Sequence, residues 1–247
     1  MTLNVRRGFH EPAEKPRRFY KAVTVEPGPE GFEIRLDART VRTPKGGKLA
    51  LPTRALAEQV AEEWARQGEM IELAEMHVMR LANTALEAVP AAREATADQV
   101  AQYAGSDLVC YYAEDPAALV ERQARAWEPL LEWSAAELGL SFHRVSGIIH
   151  REQPPETLAA VRELALGLDD FRLAGLAFGS ALYGSTVLAL AVLKGRLAAE
   201  AAFDLCRIDE GFQEEKWGID AEAAERTERL RGEAAMLGRW FEGLDAD

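Results

Sequence analysis

Leu173 to Leu193 reads LAGLAFGSALYGSTVLALAVL, 21 residues without a charge, bracketed by Arg172 and Lys194. That length alone could span a bilayer. Gly175 and Gly179 even have the G-x-x-x-G spacing of packed membrane helices. The composition argues otherwise. The stretch is rich in Gly, Ala, Ser and Thr, holds no Ile and one Phe, and Gly184-Ser185 near its middle invites a break. A helix that is apolar all round also suits the centre of a helical bundle. Residues 173–193 are therefore expected to be buried helix, with no stable membrane insertion; the opposing reading is a structural membrane subunit.

Helical patterns flank this segment on both sides. Asp169-Asp170 is placed to cap it. Upstream, Leu158, Val161, Leu164 and Ala165 mark one helix. Asp115-Pro116, read as an N-cap with Pro at the first helical position, opens a longer one through Leu119, Gln123, Trp127, Leu131 and Leu138. Pro129 should kink or split that helix. Val78, Leu81, Ala82, Ala85 and Val89 form a stripe closed by Pro90, and Leu56, Val60 and Trp64 form another after the N-cap Thr53. Downstream, Leu205, Ile208 and Phe212 mark a helix ending at Gly218. Asp220 opens the last, with Leu230, Ala234, Leu237 and Phe241 on one side.

The N-terminal part has a different period. Phe32, Ile34 and Leu36 alternate with charged residues, as in a half-buried strand. Pro27 to Gly31, Asp37 to Arg39 and Pro44 to Gly47 read as turns. The fold class is thus α+β, mostly α. Residues 1–52 form an N-terminal arm and a small antiparallel β domain, and residues 53–247 a multihelical domain. The first 17 residues or so read as a partly disordered arm. They lack the apolar run of a secretory signal, and Glu11 and Glu14 argue against a transit peptide.

The formal net charge is -12, which argues against a nucleic-acid partner. It is unevenly spread. Residues 1–52 carry eleven Lys/Arg against six Asp/Glu, and residues 198–247 carry six against fourteen, so an acidic face belongs to the C-terminal helices. Cys110 and Cys206 are the only cysteines, too few for a disulfide framework or a zinc site built on thiolates.

No catalytic signature stands out. His10, His77, His143 and His150 have no metal-ligand spacing, and there is no G-x-S-x-G elbow. Gly179 to Ser185 has the outer glycines of a phosphate loop but no lysine, and reads as close helix packing. The densest polar cluster is Cys206 to Trp217, CRIDEGFQEEKW. On one continuous helix, offsets of 0, 4, 7 and 11 align Cys206, Glu210, Gln213 and Trp217. That gives a stripe of carboxylate, amide and indole, with Asp209 and Glu214 beside it. Aromatic and charged side chains in such a stripe suit a binding surface. The plain alternative is a solvated acidic helix with a Trp packed at its end. An enzyme using Glu210 as acid/base would need it in a closed pocket, whereas a binding protein would present an open face.

At this helix the chain resembles the assembly chaperones of the F-type ATP synthase alpha subunit. The matching residues run nearly end to end: Phe19-Tyr20-Lys21, Leu36-Asp37, Thr43-Pro44, Ala61-Glu62-Glu63-Trp64, Asn83-Thr84-Ala85, Asp107-Leu108, Cys110-Tyr111, Gln123, Trp127-Glu128-Pro129, Ser185 to Gly195, Arg207, Asp209-Glu210, Phe212-Gln213 and Trp217-Gly218. Ile219 to Glu222 departs, lacking a histidine that the family often carries there. The resemblance implies a chaperone that is not an enzyme and uses no cofactor or metal. It would bind the free alpha subunit and shield its beta-subunit interface until assembly. It implies a monomer when free, in the bacterial cytoplasm, or in the mitochondrial matrix if the source is eukaryotic. The family's critical acidic position is carried to Glu210, with Asp209 as the alternative register, and the helical stripe adds Gln213, Trp217 and Glu214 as candidate partner-binding residues.

Overall fold

The computed structural model describes residues 15–147 and 149–246. The expected N-terminal arm lies largely outside these residues.

The alternating segment pairs as expected. β1 (Val23–Gly28) and β2 (Gly31–Leu36) form an antiparallel hairpin, and β2 pairs on its other side with β3 (Arg39–Thr40) and β4 (Ala50–Leu51). Ile34 and Leu36 are buried. Gly31 has φ +133, and a Cβ there would lie 2.3 Å from the Leu51 carbonyl oxygen, so only glycine lets β4 close on β2. Asp37, at φ 53, turns the chain and accepts hydrogen bonds from the Lys21 and Ala22 amides.

Helix α1 (Arg54–Ala65) packs on β1, β2 and β4. Its cap is Thr53, whose side chain accepts from the Leu56 amide. Leu56, Val60 and Trp64 are buried along one face. Helix α2 (His77–Asn83) has no cap of its own. Glu63 of α1 serves instead, its carboxylate accepting from the Val78 amide at 2.7 Å and the Met79 amide at 2.8 Å. Burial raises the Glu63 carboxyl above its ordinary value, against those two amides. A π-helical turn (Thr84–Ala88) carries the stripe into α3 (Val89–Ala91), so the helical run ends one residue past Pro90.

Helix α4 (Arg93–Gly105) follows, then the short strand β5 (Tyr111–Tyr112). The Asp115–Pro116 peptide is cis, and Pro116 is itself the cap of α5 (Ala117–Leu138), which corrects the reading of Asp115 as N-cap. Pro129 neither splits nor ends α5. Strand β6 (Val145–Ser146) pairs with β5 in parallel, and α6 (Pro155–Leu166) lies against α4.

The 21-residue apolar run is two helices, α7 (Asp170–Tyr183) and α8 (Thr186–Leu193). Asp169 caps α7, accepting from the Arg172 amide. Gly184 turns at φ +60, and Ser185 caps α8 by accepting from the Leu188 amide. Every residue of α8 is buried. Among the described residues no helix is long and apolar enough to cross a membrane. Buried Asp107 ties this centre together. Its carboxylate accepts from the Val187 amide at the start of α8 (2.9 Å) and from the Val109 amide (3.3 Å). Burial pushes its pKa up to about 6.

The G-x-x-x-G pair is a close-packing device. A Cβ on Gly175 would sit 2.7 Å from the Phe241 ring, and one on Gly179 would sit 2.9 Å from Leu237. Both partners lie on the last helix, α11 (Ala221–Asp245), which Asp220 caps at the Ala223 amide.

Candidate partner-binding site

The stretch from Leu205 to Trp217 is divided between two helices. α9 (Ala199–Cys206) ends at Arg207, which takes φ -113 and ψ 21, and α10 (Ile208–Trp217) starts afresh. The continuous helix read from Leu205 to Trp217 is corrected by this break. Cys206 belongs to the buried end of α9, so it leaves the stripe. Burial, with the nearby Glu210 carboxylate, pushes its thiol up to about 12, so it is no nucleophile at neutral pH.

Within α10 the remaining residues divide into an inner and an outer set. Ile208 and Phe212 are buried. Phe212 lies under two cations, Lys216 Nζ at 4.1 Å and the Arg122 guanidinium at 5.2 Å from its ring centre. Arg122 also makes a bidentate pair with Glu215, at 2.7 and 2.9 Å. Glu214 turns toward Arg207, whose guanidinium donates to it at 2.5 Å. Glu210 and Gln213 are exposed, and Trp217 is 73% exposed at the helix end, followed by Ile219 at 49%. Trp217 and Ile219 together leave apolar surface open at the end of α10.

Asp209 points the other way. It accepts from Gln123 Nε2 at 2.6 Å, and the side-chain oxygen Oε1 of Gln123 accepts from the Ala113 amide at 2.8 Å. Gln123 is fully buried on α5. Four residues on, Trp127 Nε1 donates to the Leu205 carbonyl at 3.0 Å. α5 is therefore the rail on which α9 and α10 sit. Glu128 completes it, accepting from Arg144 at 2.7 Å and from the Tyr112 hydroxyl at 3.2 Å. The Arg144 bond holds the Glu128 carboxyl below its ordinary value.

A second wall faces α10. The first turns of α11 run beside it, and the open groove between them is lined by Leu182 and Leu230, both half-buried, and by Glu210, which is exposed. This is not the enclosed setting that an acid/base role for Glu210 would need. Among the described residues no group of His, Cys, Asp and Glu is arranged to hold a metal ion.

The model of the ATP12 chaperone protein family matches residues 17–135. A crystal structure of Atp12 from Paracoccus denitrificans superposes with a TM-score of 0.85 at 39% identity, covering 92% of this chain and 97% of that one. The chain belongs to the ATP12 chaperone family. Its members are ATP synthase assembly chaperones. Mitochondrial atp12 of Schizosaccharomyces pombe is 25% identical over 244 residues, 92% of this chain and 84% of that protein. A crystal structure from Agrobacterium tumefaciens has a TM-score of 0.86 at 39% identity, covering 93% of this chain and 87% of that one. The family model's match ends inside α5, so the rail residues Gln123 and Trp127 fall within it and α10 falls beyond it.

Sequence reasoning did not assign roles to Arg122, Arg207 and Gln123. Gln123 carried a usable signal: an amide on the apolar stripe of an amphipathic helix must find buried partners. Arg122 carried none, since surface arginines are ordinary, and Arg207 stood only among the residues of the resemblance, with no role attached.

Proposed function

We propose that this chain assists ATP synthase assembly by binding the free alpha subunit through the outer face of α10, covering the alpha surface that later meets beta. The observation that carries the reading is the outward set of Glu210, Gln213 and Trp217 on a helix whose inner side is fully engaged. Rigid support from α5 means that little side-chain order is lost at the base of this face on binding. An exposed indole supplies apolar contact area and an adjacent carboxylate supplies orientation. The reading places the protein in a bacterial cytoplasm, or in the mitochondrial matrix of a eukaryote. The test is a pull-down of the purified chain against isolated alpha and isolated beta subunits. Retention of alpha alone is the expected result; retention of beta alone, or of neither, would overturn the assignment.

A further inference from the structure

The face just described is one side of a groove, and the groove has its own chemistry. α10 packs on α5 and α9, while α11 packs on α1, α7 and α9, and the open groove lies between α10 and the first turns of α11. Arg207 spans the gap, donating to Thr227 on α11 and to Glu214 on α10. This clasp fixes the groove width. Its apolar lining comes from half-buried Leu182 and Leu230, with Phe203 buried behind the guanidinium groups of Arg207 and Arg231. The lining carries the carboxylates Glu210, Glu214, Asp220 and Glu222 against the guanidinium groups of Arg207 and Arg226, four negative charges against two positive. Two of those carboxylates are already engaged, Glu214 by Arg207 and Asp220 as the cap of α11. Glu210 and Glu222 are exposed on opposite walls. At the closed end, the Gly218–Asp220 turn joins the helices between exposed Trp217 and Ile219.

We propose that this α10–α11 groove seats a segment of the partner in which an apolar side chain is flanked by Lys or Arg. This inference rests on the alpha-subunit reading and extends it from one helix face to a two-walled seat. The apolar side chain meets the apolar lining, where removal from water is favourable. The basic groups meet Glu210 and Glu222, one on each wall, which fixes direction and register better than a single-sided contact. The surplus negative charge selects a basic occupant over an acidic one.

Ala223, half-buried on the α11 wall, is the place to test it. Ala223→Trp should fill the groove without touching α10's outer face. Glu222→Lys should reverse one wall's charge, and Glu225→Lys, off the groove, serves as the charge control. Binding to purified alpha subunit is measured by titration, with thermal melts alongside. The expected result is that Ala223→Trp and Glu222→Lys each bind about tenfold or more weakly, as truncations at interface anchors do, while Glu225→Lys binds as the parent. Parent-like binding by Ala223→Trp and Glu222→Lys would overturn the groove while leaving the alpha-subunit reading intact. If Ala223→Trp melts early, Glu222→Lys against Glu225→Lys decides alone. Failure of the parent itself to bind alpha would overturn the underlying reading instead. Sedimentation of the chain alone over a concentration series covers the remaining occupant: a dimer abolished by Ala223→Trp would mean that the groove seats a second copy.

Discussion

Asp209 and Gln123 meet at 2.6 Å across the α5–α10 contact, with the Gln123 amide donating to the Asp209 carboxylate. This one bond distinguishes two adjacent acids. Asp209 holds α10 onto its rail, and Glu210, the next residue, faces away into solvent.

Removing the acceptor should therefore destabilise the fold. Asp209→Ala leaves the buried Gln123 amide without its partner, which costs ~1–3 kcal/mol. Gln123→Ala should cost a similar amount, and the double variant should cost less than the sum, because the two side chains share one interaction. Chemical denaturation of the four proteins measures this. Fully additive losses would mean that the bond does not couple the helices.

Trp64 is a core anchor. It is buried at the end of α1, its ring edge-on to Tyr20 at 5.7 Å, and the Tyr20 hydroxyl donates to its carbonyl at 2.7 Å. Trp64→Arg loses the packing of a large core side chain, ~3–5 kcal/mol, and leaves a charge without a partner. A folded variant of parental stability would rule this role out.

Gly175 sets the approach of α7 to α11. Gly175→Ala drives a methyl group into Phe241 and Trp240, and overpacking of this kind costs ~1–3 kcal/mol. Ala for Gly within a helix would otherwise gain about 0.5–1 kcal/mol, so a stabilised variant would show that the helices part easily.

Asp107 gives a pH signature. Its pKa is raised on folding, from the ordinary 3.8 to about 6, so between those values the folded chain holds a proton that the unfolded chain has lost. Its contribution to stability falls as pH rises through that window and is level above it. Asp107→Asn removes this dependence and places an amide donor against the Val187 or Val109 N–H. The parent's stability advantage over the variant should shrink from pH 4 to pH 6. A gap that widens over that range would contradict the assignment.

The core was legible in the sequence because it obeys simple periods and caps. Phe32, Ile34 and Leu36 alternate, Thr53, Asp169 and Asp220 cap, and Gly184-Ser185 breaks the apolar run where expected. α4 escaped because its Ala-rich sequence, REATADQVAQYAG, has a weak apolar stripe. The break at Arg207 escaped because Cys206, Ile208 and Asp209 include no strong breaker; there Arg207 bonds to Thr227, 20 residues on, and to Glu214. The α10 stripe itself needed only helical spacing, but the different duties of Asp209 and Glu210 depend on α5, some 86 residues earlier.

Glu210 carries the central claim. Because it is exposed and outside the rail contacts, Glu210→Gln and Glu210→Lys should each change stability by no more than about 0.5 kcal/mol. Binding should suffer far more, by ~2–5 kcal/mol if a basic partner group is left unpaired in the contact. The deciding measurement is alpha-subunit affinity of the parent and both variants, with thermal melts on the same samples. Parental melting with weakened binding, worse for Lys than for Gln, is the predicted result. Parental affinity in both variants would contradict the account, and unfolding of both would make Glu210 part of the fold instead of its binding face.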